Sequence, residues 1–178
     1  MKFDFQNRYT ELYFTTATVK DWKHLLKPDK YKQILIKSLE FLVSEKRVKI
    51  YGFVIMENHI HLLWQGTQLY SLKYTQLSFM KYTAQQIKFD LEKYHPEVLT
   101  YFTVEAKDRK HQFWERNALS VDIMSETVFL QKLNYIHKNP VKANLCNSET
   151  EYQYSSAKHY MGMKHDFDFL EPYDKRFL

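Results

Sequence analysis

The sequence predicts an α+β fold, namely a ferredoxin-like split β-α-β antiparallel sheet with an added C-terminal helix. The main observation is the order of its segments, because strand-like and helical patterns follow one another as β-α-β-β-α-β-α. This is the order of the split βαβ motif followed by one more helix. A second observation is the length of 178 residues without a Gly/Ser/Pro-rich linker, which predicts a single domain over residues 1–178.

The first half of the chain changes its hydrophobic period twice. Residues 12–19 are rich in Thr, Tyr and Phe, which favours a first strand. Residues 29–46 repeat apolar side chains at helical spacing and predict an amphipathic helix. Residues 48–56 and 59–65 are β-type runs separated by two polar residues, and this connection indicates a hairpin.

The second half predicts two helices and one strand. The first helix spans residues 71–94, beginning at a serine N-cap. Its predicted apolar stripe consists of Leu72, Leu77, Met80, Ala84, Ile87 and Leu91. Residues 112–123 predict the fourth strand, and Ser125 can cap a third helix. We expect Pro140 to end that helix, because proline removes a backbone donor and disfavours helical geometry in the residue before it.

The composition favours a polyanionic partner. The formal net charge is +5, and residues 1–164 alone carry 24 basic and 17 acidic residues, ahead of an acidic C-terminal tail at about residues 165–178. Such a surplus suits nucleic acid, although a merely soluble basic surface explains it equally well. Cys146 is the only cysteine, which excludes an internal disulfide. No run approaches the roughly 18 apolar residues of a membrane span, so we expect a cytoplasmic protein without a membrane partner.

His59 and His61 form a candidate metal site. They lie two residues apart in a predicted strand, so both imidazoles project from one face while Ile60, Leu62 and Trp64 point to the other. Paired neutral imidazoles are good ligands for Mn²⁺ and acceptable ones for Mg²⁺. An ordinary half-buried strand can contain the same spacing, so the pattern alone leaves both interpretations open.

The third helix carries a second candidate pair. Tyr135 and Asn139 are four residues apart and share one helical face, whereas His137 points nearly opposite. The amide of Asn139 could complete a metal shell beneath Tyr135. A capping asparagine and a packed tyrosine account for the same residues, and spacing does not choose between these interpretations.

Five segments occur in an order that resembles a known family. They are YFTTATV at residues 13–19, MENHIHLLW at 56–64, QFWER at 112–116, YIHKNPVKANL at 135–145 and EYQYSSAKHY at 151–160. Together they resemble, over about residues 9 to 160, the REP-associated tyrosine transposases, bacterial relatives of the single-tyrosine HUH (His-hydrophobic-His) transposases. Two positions depart from the family pattern, which usually has Pro at Glu57 and Gly at Asn144. Asparagine tolerates a left-handed turn, whereas Glu57 adds a carboxylate beside His59 and bears on metal preference.

The resemblance implies an HUH nuclease domain that cuts and rejoins single-stranded DNA. Carried over by position, it makes His59, His61 and Asn139 ligands of a divalent metal, Mg²⁺ or Mn²⁺. It makes Tyr135 the nucleophile that forms a 5′-phosphotyrosine. The implied partner is single-stranded DNA containing a hairpin, and both a monomer and a homodimer remain open. The implied setting is the bacterial cytoplasm.

Seven basic residues are candidates for contacts to DNA phosphates. They are Lys81, Lys88, Arg109, Lys110, Arg116, Lys138 and Lys142. Each alone is more readily explained as a solvated surface charge, so the prediction concerns the cluster. Two other functions fit the same sequence: a domesticated protein that binds hairpin DNA or RNA without cutting, and a metal-dependent nuclease that uses water as nucleophile.

Overall fold

The computed structural model describes residues 12–172 and confirms the predicted α+β fold. Its helices and strands are β1 (Leu12–Thr18), α1 (Asp29–Ser44), β2 (Val48–Ile55), β3 (His59–Gly66), α2 (Leu72–Tyr94), α3 (Pro96–Thr100), β4 (Thr103–Ala106), β5 (Arg109–His111), β6 (Leu119–Asp122), α4 (Glu126–Lys142) and α5 (Ala157–Tyr160). Short 3-10 turns lie at Lys20–Trp22 and Glu149–Glu151. Within the described range, no helix has both the length and the apolar character needed to cross a membrane.

The main sheet has the strand order β2-β3-β1-β6, and all of its pairs are antiparallel. The strand β3 is therefore central, with β1 and β2 on its two sides. This is the arrangement expected of a split βαβ motif, in which a third strand lies between the two that flank the first helix. The strand that carries the two candidate histidines is thereby fixed by hydrogen bonds on both edges.

One face of the sheet packs against α1 and α2 and contains the larger apolar core. From β3 this core receives the alternating residues Ile60, Leu62 and Trp64, all of which are buried. The indole nitrogen of Trp64 donates a hydrogen bond of 2.9 Å to Thr15 Oγ1, so its polar atom is satisfied inside the core. This face contributes to stability through the burial of apolar surface.

The other face packs against α4 through a second, smaller core that includes Leu133 and Ile136. The helix can approach β2 closely at Gly52, because a Cβ there would lie only 2.8 Å from Leu133 Cδ1. A buried hydrogen bond of 2.8 Å between His137 Nε2 and Ser156 Oγ adds a polar contact. Ser156 Oγ in turn lies 3.0 Å from the backbone nitrogen of Phe53, which donates to it. These contacts fix α4, and hence Tyr135, against the sheet.

The helix α4 continues through Pro140, so the expectation that proline ends it was wrong. Pro140 lies in the last turn, where it removes one hydrogen bond and leaves the following ones intact. The nitrogen of Ala143 still donates to the carbonyl of Asn139 at 3.0 Å. The chain then reverses at Asn144, whose φ of +56° lies in the left-handed region, as the glycine at this position in the resembling family suggests.

Three other sequence expectations need correction. The fourth strand is confined to β6 and does not begin at residue 112, because the chain turns at Asn117 with a φ of +62°. Residues 103–111 form an unpredicted hairpin, β4 and β5. On α2 the predicted stripe is confirmed at Leu72, Ile87 and Leu91, which are buried, and wrong at Leu77, which is exposed. The buried face also includes Phe79 and Thr83.

The segment interpreted as an acidic tail contributes apolar side chains to the main core. Phe167, Phe169 and Leu170 are buried, and the nitrogen of Glu171 donates to the carbonyl of Ile50 at 2.8 Å. Leu170 forms a parallel bridge with Ile50 at the edge of β2. Residues 173–178 of that predicted tail lie outside the described residues.

Candidate active site

Four aromatic rings form a row on the α4 face of the sheet. The rings of His59 and His61 project from β3 with their centroids 4.6 Å apart. The ring of Tyr135, on α4, lies 5.3 Å from His61 at an interplanar angle of 66°. At the other end, the ring of Trp22 lies 5.8 Å from His59. The prediction from strand spacing that both imidazoles share one face, opposite to Ile60, Leu62 and Trp64, is confirmed.

Hydrogen bonds orient both imidazoles. His59 Nδ1 lies 2.7 Å from Asn58 Oδ1, and because an amide oxygen only accepts, Nδ1 is the donor and Nε2 keeps its lone pair. The amide nitrogen of Asn58 donates to the carbonyl of Trp22 at 3.3 Å, which agrees with this orientation. His61 Nδ1 lies 2.8 Å from Thr16 Oγ1. Each ring is thus positioned through Nδ1, the arrangement common for histidines that bind a metal through Nε2.

Burial keeps both imidazoles neutral. Desolvation lowers the pKa of His59 to about 4. It lowers the pKa of His61 to about 3, with smaller contributions from the charges of His59 and Lys132. At neutral pH neither imidazole therefore carries the second proton that would prevent metal binding.

The donor set fits a divalent cation. His61 Nε2 is buried and has no hydrogen-bond partner, an arrangement that is costly unless something binds the nitrogen. Among residues 12–172, no group of three or more His, Cys, Asp or Glu side chains could share a metal ion. The histidine pair would therefore need further oxygen ligands, from an amide, water or a phosphate. Asn139 is half-buried and follows Tyr135 by one turn of α4.

Glu57, the departure nearest to the histidines, is engaged elsewhere. Its carboxylate oxygen lies 2.8 Å from His24 Nδ1. Its backbone carbonyl accepts a hydrogen bond of 2.8 Å from the nitrogen of Leu26. The carboxylate that the sequence places beside His59 is thus paired with a different histidine, on the loop before α1.

Positive charges flank Tyr135 along α4. Lys142 Nζ lies 5.7 Å from the centroid of the Tyr135 ring, and Lys132 Nζ lies 4.9 Å from that of Phe14. Lys138 and Lys142 also line a cavity of about 480 Å³ beside the end of α4. The other residues lining this cavity are Val141, Asn147, Ser148, Glu149, Thr150 and Met161.

The remaining predicted DNA contacts do not join this group. Lys81 and Lys88 lie on α2, the helix that covers the opposite face of the sheet, and Lys88 pairs with Glu92 at 3.0 Å. Arg109 and Lys110 belong to the hairpin strand β5. Burial lowers the pKa of His111, and the charges of Lys110 and Lys88 lower it further. Arg116 is exposed in the loop before β6.

Several contacts of the site were missed by sequence reasoning. Lys132 precedes Tyr135 by three residues and could have been found from helical spacing. Thr16 is opposite His61 in the β1–β3 register, which local patterns do not specify. Phe14, whose ring stacks on His61 at 5.2 Å, and the exposed Trp22 likewise depend on the tertiary fold.

One solved structure shares the architecture of this chain. No protein-family model and no curated protein sequence matches the chain significantly. Among solved structures, the chain is similar to a REP-associated tyrosine transposase bound to a REP hairpin, with a TM-score of 0.65 and 15% identity over 93% of each chain. It is also similar to a candidate transposase from Deinococcus radiodurans R1, with a TM-score of 0.47 and 15% identity over 78% of this chain and 97% of that one. The first likeness shows that this chain has the fold of a tyrosine transposase.

Proposed function

We propose that the protein is a transposase of the tyrosine HUH type, which cuts and rejoins single-stranded DNA through a covalent bond to Tyr135. The observation that carries the proposal is the contact between Tyr135 and His61. The tyrosine ring is 41% exposed, whereas the neighbouring imidazole is buried with an unpartnered Nε2. An accessible nucleophile beside an unsatisfied metal-binding nitrogen suits phosphodiester chemistry.

The proposed metal site consists of His59, His61 and the amide of Asn139. A bound Mg²⁺ or Mn²⁺ would polarise the scissile phosphate and stabilise the charge that develops on it. Because all three protein ligands are neutral, the full charge of the cation would remain available for the substrate. The hydrogen bonds between His59 and Asn58 and between His61 and Thr16 would hold the rings in a fixed orientation.

The proposed reaction exchanges one phosphoester bond for another, so it needs no nucleotide cofactor. The Oη of Tyr135 forms a bond to phosphorus, the bond from phosphorus to the 3′-oxygen breaks, and the phenolic proton passes to solvent. The departing 3′-oxygen takes a proton from solvent. The products are a 5′-phosphotyrosine and a free 3′-hydroxyl, and attack on that ester by another 3′-hydroxyl reverses the steps and rejoins DNA.

The proposed substrate is single-stranded DNA that contains a hairpin. The solved structure with the same fold is bound to a REP hairpin, and the excess of basic over acidic residues here favours a polyanion. Lys138 and Lys142 line the cavity beside the end of α4, and Lys142 Nζ also lies 5.7 Å from the Tyr135 ring centroid. There the two lysines would bind phosphates that flank the cut. Such contacts position the strand and carry no sequence information.

Covalent trapping tests the proposal. The protein is incubated with single-stranded oligonucleotides that tile the DNA on both sides of its gene, with Mn²⁺ or Mg²⁺, and the products are separated on a denaturing gel. We expect a protein–DNA adduct whose modified peptide, identified by mass spectrometry, contains Tyr135. Modification of another tyrosine, such as Tyr82 on α2 or Tyr160, would overturn the assignment.

The same experiment separates the proposal from its two alternatives. A nuclease that uses water would produce cut DNA without an adduct under any condition. A domesticated binding protein would shift the mobility of the DNA on a native gel and leave it uncut. Either outcome, obtained with DNA that the protein binds, would contradict the transposase chemistry.

A further inference from the structure

The turn before α1 holds two consecutive non-glycine residues in the left-handed region. Asp21 has a φ of +54° and Trp22 a φ of +55°, a conformation that L-residues rarely adopt. Trp22 is also 60% exposed, although indole is among the most apolar side chains. Backbone strain of this kind persists only where the surrounding structure enforces it, and it is frequent at functional sites.

One hydrogen bond within the turn and two to other segments of the chain fix its conformation. The nitrogen of Trp22 donates to the carbonyl of Val19 at 2.9 Å, and the nitrogen of Asp21 donates to Glu115 Oε1 at 2.7 Å. The carbonyl of Trp22 accepts the bond of 3.3 Å from Asn58 Nδ2. The backbone that carries the exposed indole is therefore held in place before any ligand binds.

The position of Trp22 relates it to the proposed reaction. The four rings follow the order Trp22, His59, His61, Tyr135, so the indole and the phenol lie at opposite ends of the histidine pair. In an in-line displacement the nucleophile and the leaving group lie on opposite sides of phosphorus. If Tyr135 attacks from one end, the departing 3′-oxygen and its nucleotide point toward Trp22.

We propose that Trp22 is a stacking platform for one nucleobase of single-stranded DNA, that of the nucleotide whose 3′-oxygen leaves. The inference rests on the proposed function and adds a binding site for the strand on the 5′ side of the cut. Stacking requires an accessible π face and accepts any base. The indole of Trp22 offers this face. The backbone carbonyl of Trp22 accepts a hydrogen bond from Asn58, which couples the turn to the residue that orients His59.

Intrinsic fluorescence tests the stacking directly. The chain has three tryptophans, and Trp64 and Trp114 are only 0% and 7% exposed against 60% for Trp22. In the uncut complex of Tyr135→Phe with a single-stranded oligonucleotide, we expect quenching of the exposed component and its protection from acrylamide. Trp22→Phe should abolish the change while the anisotropy of a labelled oligonucleotide still reports binding. Full binding without any change in tryptophan emission would overturn the proposal.

Abasic substitution locates the stacked base. Removing the base immediately 5′ of the cut should slow adduct formation by wild type about tenfold, the effect of one lost base–aromatic stack. Trp22→Leu should show the same loss with intact DNA and no further loss with the abasic strand, because both changes remove one contact. Trp22→Phe should retain most of the rate. Phe41→Ala, which removes an exposed ring on α1, should match wild type.

The outcomes distinguish this inference from the proposed function. Additive losses from Trp22→Leu and the abasic strand, or a wild-type rate in Trp22→Leu, would overturn the stacking role while leaving the transposase chemistry intact. Absence of any adduct from wild type would contradict the proposed function. The fluorescence experiment would still decide whether Trp22 stacks on bound DNA.

Discussion

The two faces of β3 show how one strand can serve stability and chemistry at once. Ile60, Leu62 and Trp64 project into the apolar core beneath α1 and α2, whereas His59 and His61 project toward α4. All five side chains are buried, so burial alone does not distinguish the faces. The neighbouring side chains distinguish the two faces. The apolar face packs against hydrocarbon, whereas the histidine face contacts Thr16, Asn58 and Tyr135.

Because their neighbours differ, equal burial has opposite energetic consequences on the two faces of β3. Burying Leu62 removes apolar surface from water and stabilises the fold. Burying His59 and His61 lowers their pKa, so the folded protein resists protonation that the unfolded chain accepts. Changes on one face should therefore affect stability, and changes on the other should affect binding and chemistry.

The largest effect should come from Tyr135→Phe. We expect adduct formation to fall at least about 1,000-fold, because the variant lacks the attacking oxygen. DNA affinity should change little, since the ring that contacts His61 and Phe14 is retained. Quantitative denaturing gels measure the adduct, and the matched variant Tyr82→Phe, an exposed tyrosine on α2, should behave as wild type. An undiminished adduct from Tyr135→Phe would contradict the mechanism.

His59→Ala should weaken Mn²⁺ binding by at least about 100-fold, beyond the loss typical of residues that merely support a ligand. We expect wild type to bind Mn²⁺ more tightly than Mg²⁺, because imidazole suits the softer ion. Asn139→Ala should lower the affinity less and slow cleavage while the adduct still forms on Tyr135. Calorimetry measures each affinity, and His24→Ala is the matched control. Unchanged Mn²⁺ affinity in His59→Ala would refute the metal site.

Leu62→Ala should affect the opposite property. Truncating this buried side chain should lower the free energy of unfolding by about 3 kcal/mol through lost burial and a cavity. The Mn²⁺ affinity of the folded protein should stay nearly the same. Urea denaturation measures stability, and Leu77→Ala, an exposed leucine on α2, should change it by less than about 0.5 kcal/mol. A large loss of metal affinity in Leu62→Ala would show that the two faces are not independent.

The stability of the folded protein should depend on pH through the buried side chain of His137. Burial lowers the pKa of His137 from 6.5 to about 4, with a smaller contribution from His159. Between these pH values the unfolded chain binds a proton that the folded protein excludes, so stability falls as the pH drops from about 6.5 toward 4. His137→Gln should be less stable than wild type at pH 7.5 because it disturbs the contact with Ser156. Between pH 6.5 and 4 the free energy of unfolding of this variant should nevertheless fall by roughly 2 kcal/mol less than that of wild type.

Urea denaturation of the metal-free protein at several pH values measures these curves. Leu133→Ala provides the contrast, because it removes a neighbouring buried side chain on α4 that does not titrate. That variant should lower the whole curve without changing its slope. Parallel curves for wild type and His137→Gln would show that His137 does not contribute to the acid sensitivity.

The smallest effect should be that of a single lysine on DNA binding. Affinity for single-stranded DNA should fall with salt, with a logarithmic slope of about 0.7 for each neutralised phosphate. Lys142→Ala, beside Tyr135, should reduce that slope by about 0.7, the contribution of one phosphate contact. Lys81→Ala, on α2, should leave the slope unchanged if DNA follows only the α4 face. A reduced slope in Lys81→Ala would instead extend the DNA path to the α2 side.

The sequence predicted the features that depend on local geometry. The two-residue period of a strand places His59 and His61 on one face, and the alternation of Ile60, Leu62 and Trp64 predicts the opposite core. Helical spacing places Tyr135 and Asn139 together, and the order of segments predicts the sheet. Each of these inferences requires only the backbone repeat of one element.

Features that depend on tertiary contacts were not predictable in the same way. The bond between His137 and Ser156 joins residues 19 positions apart, and the pairing of Thr16 with His61 requires the sheet register. The helix α4 also continues past Pro140, although the local preference of proline predicts an end there. The turn at Trp22 is likewise held by contacts to residues distant in sequence.

The register of β3 also bears on the quality control of folding. His61 lies opposite Thr16 on one side and Val54 on the other, and a slip by one residue would turn every side chain of β3 to the wrong face. A misaligned chain would bury two imidazoles in hydrocarbon and place Trp64 on the face that packs against α4. Such molecules would be unstable and would be degraded preferentially. The molecules that accumulate in a cell would thus be those whose histidines face Tyr135, so proteolytic surveillance of the fold would also maintain the integrity of the site.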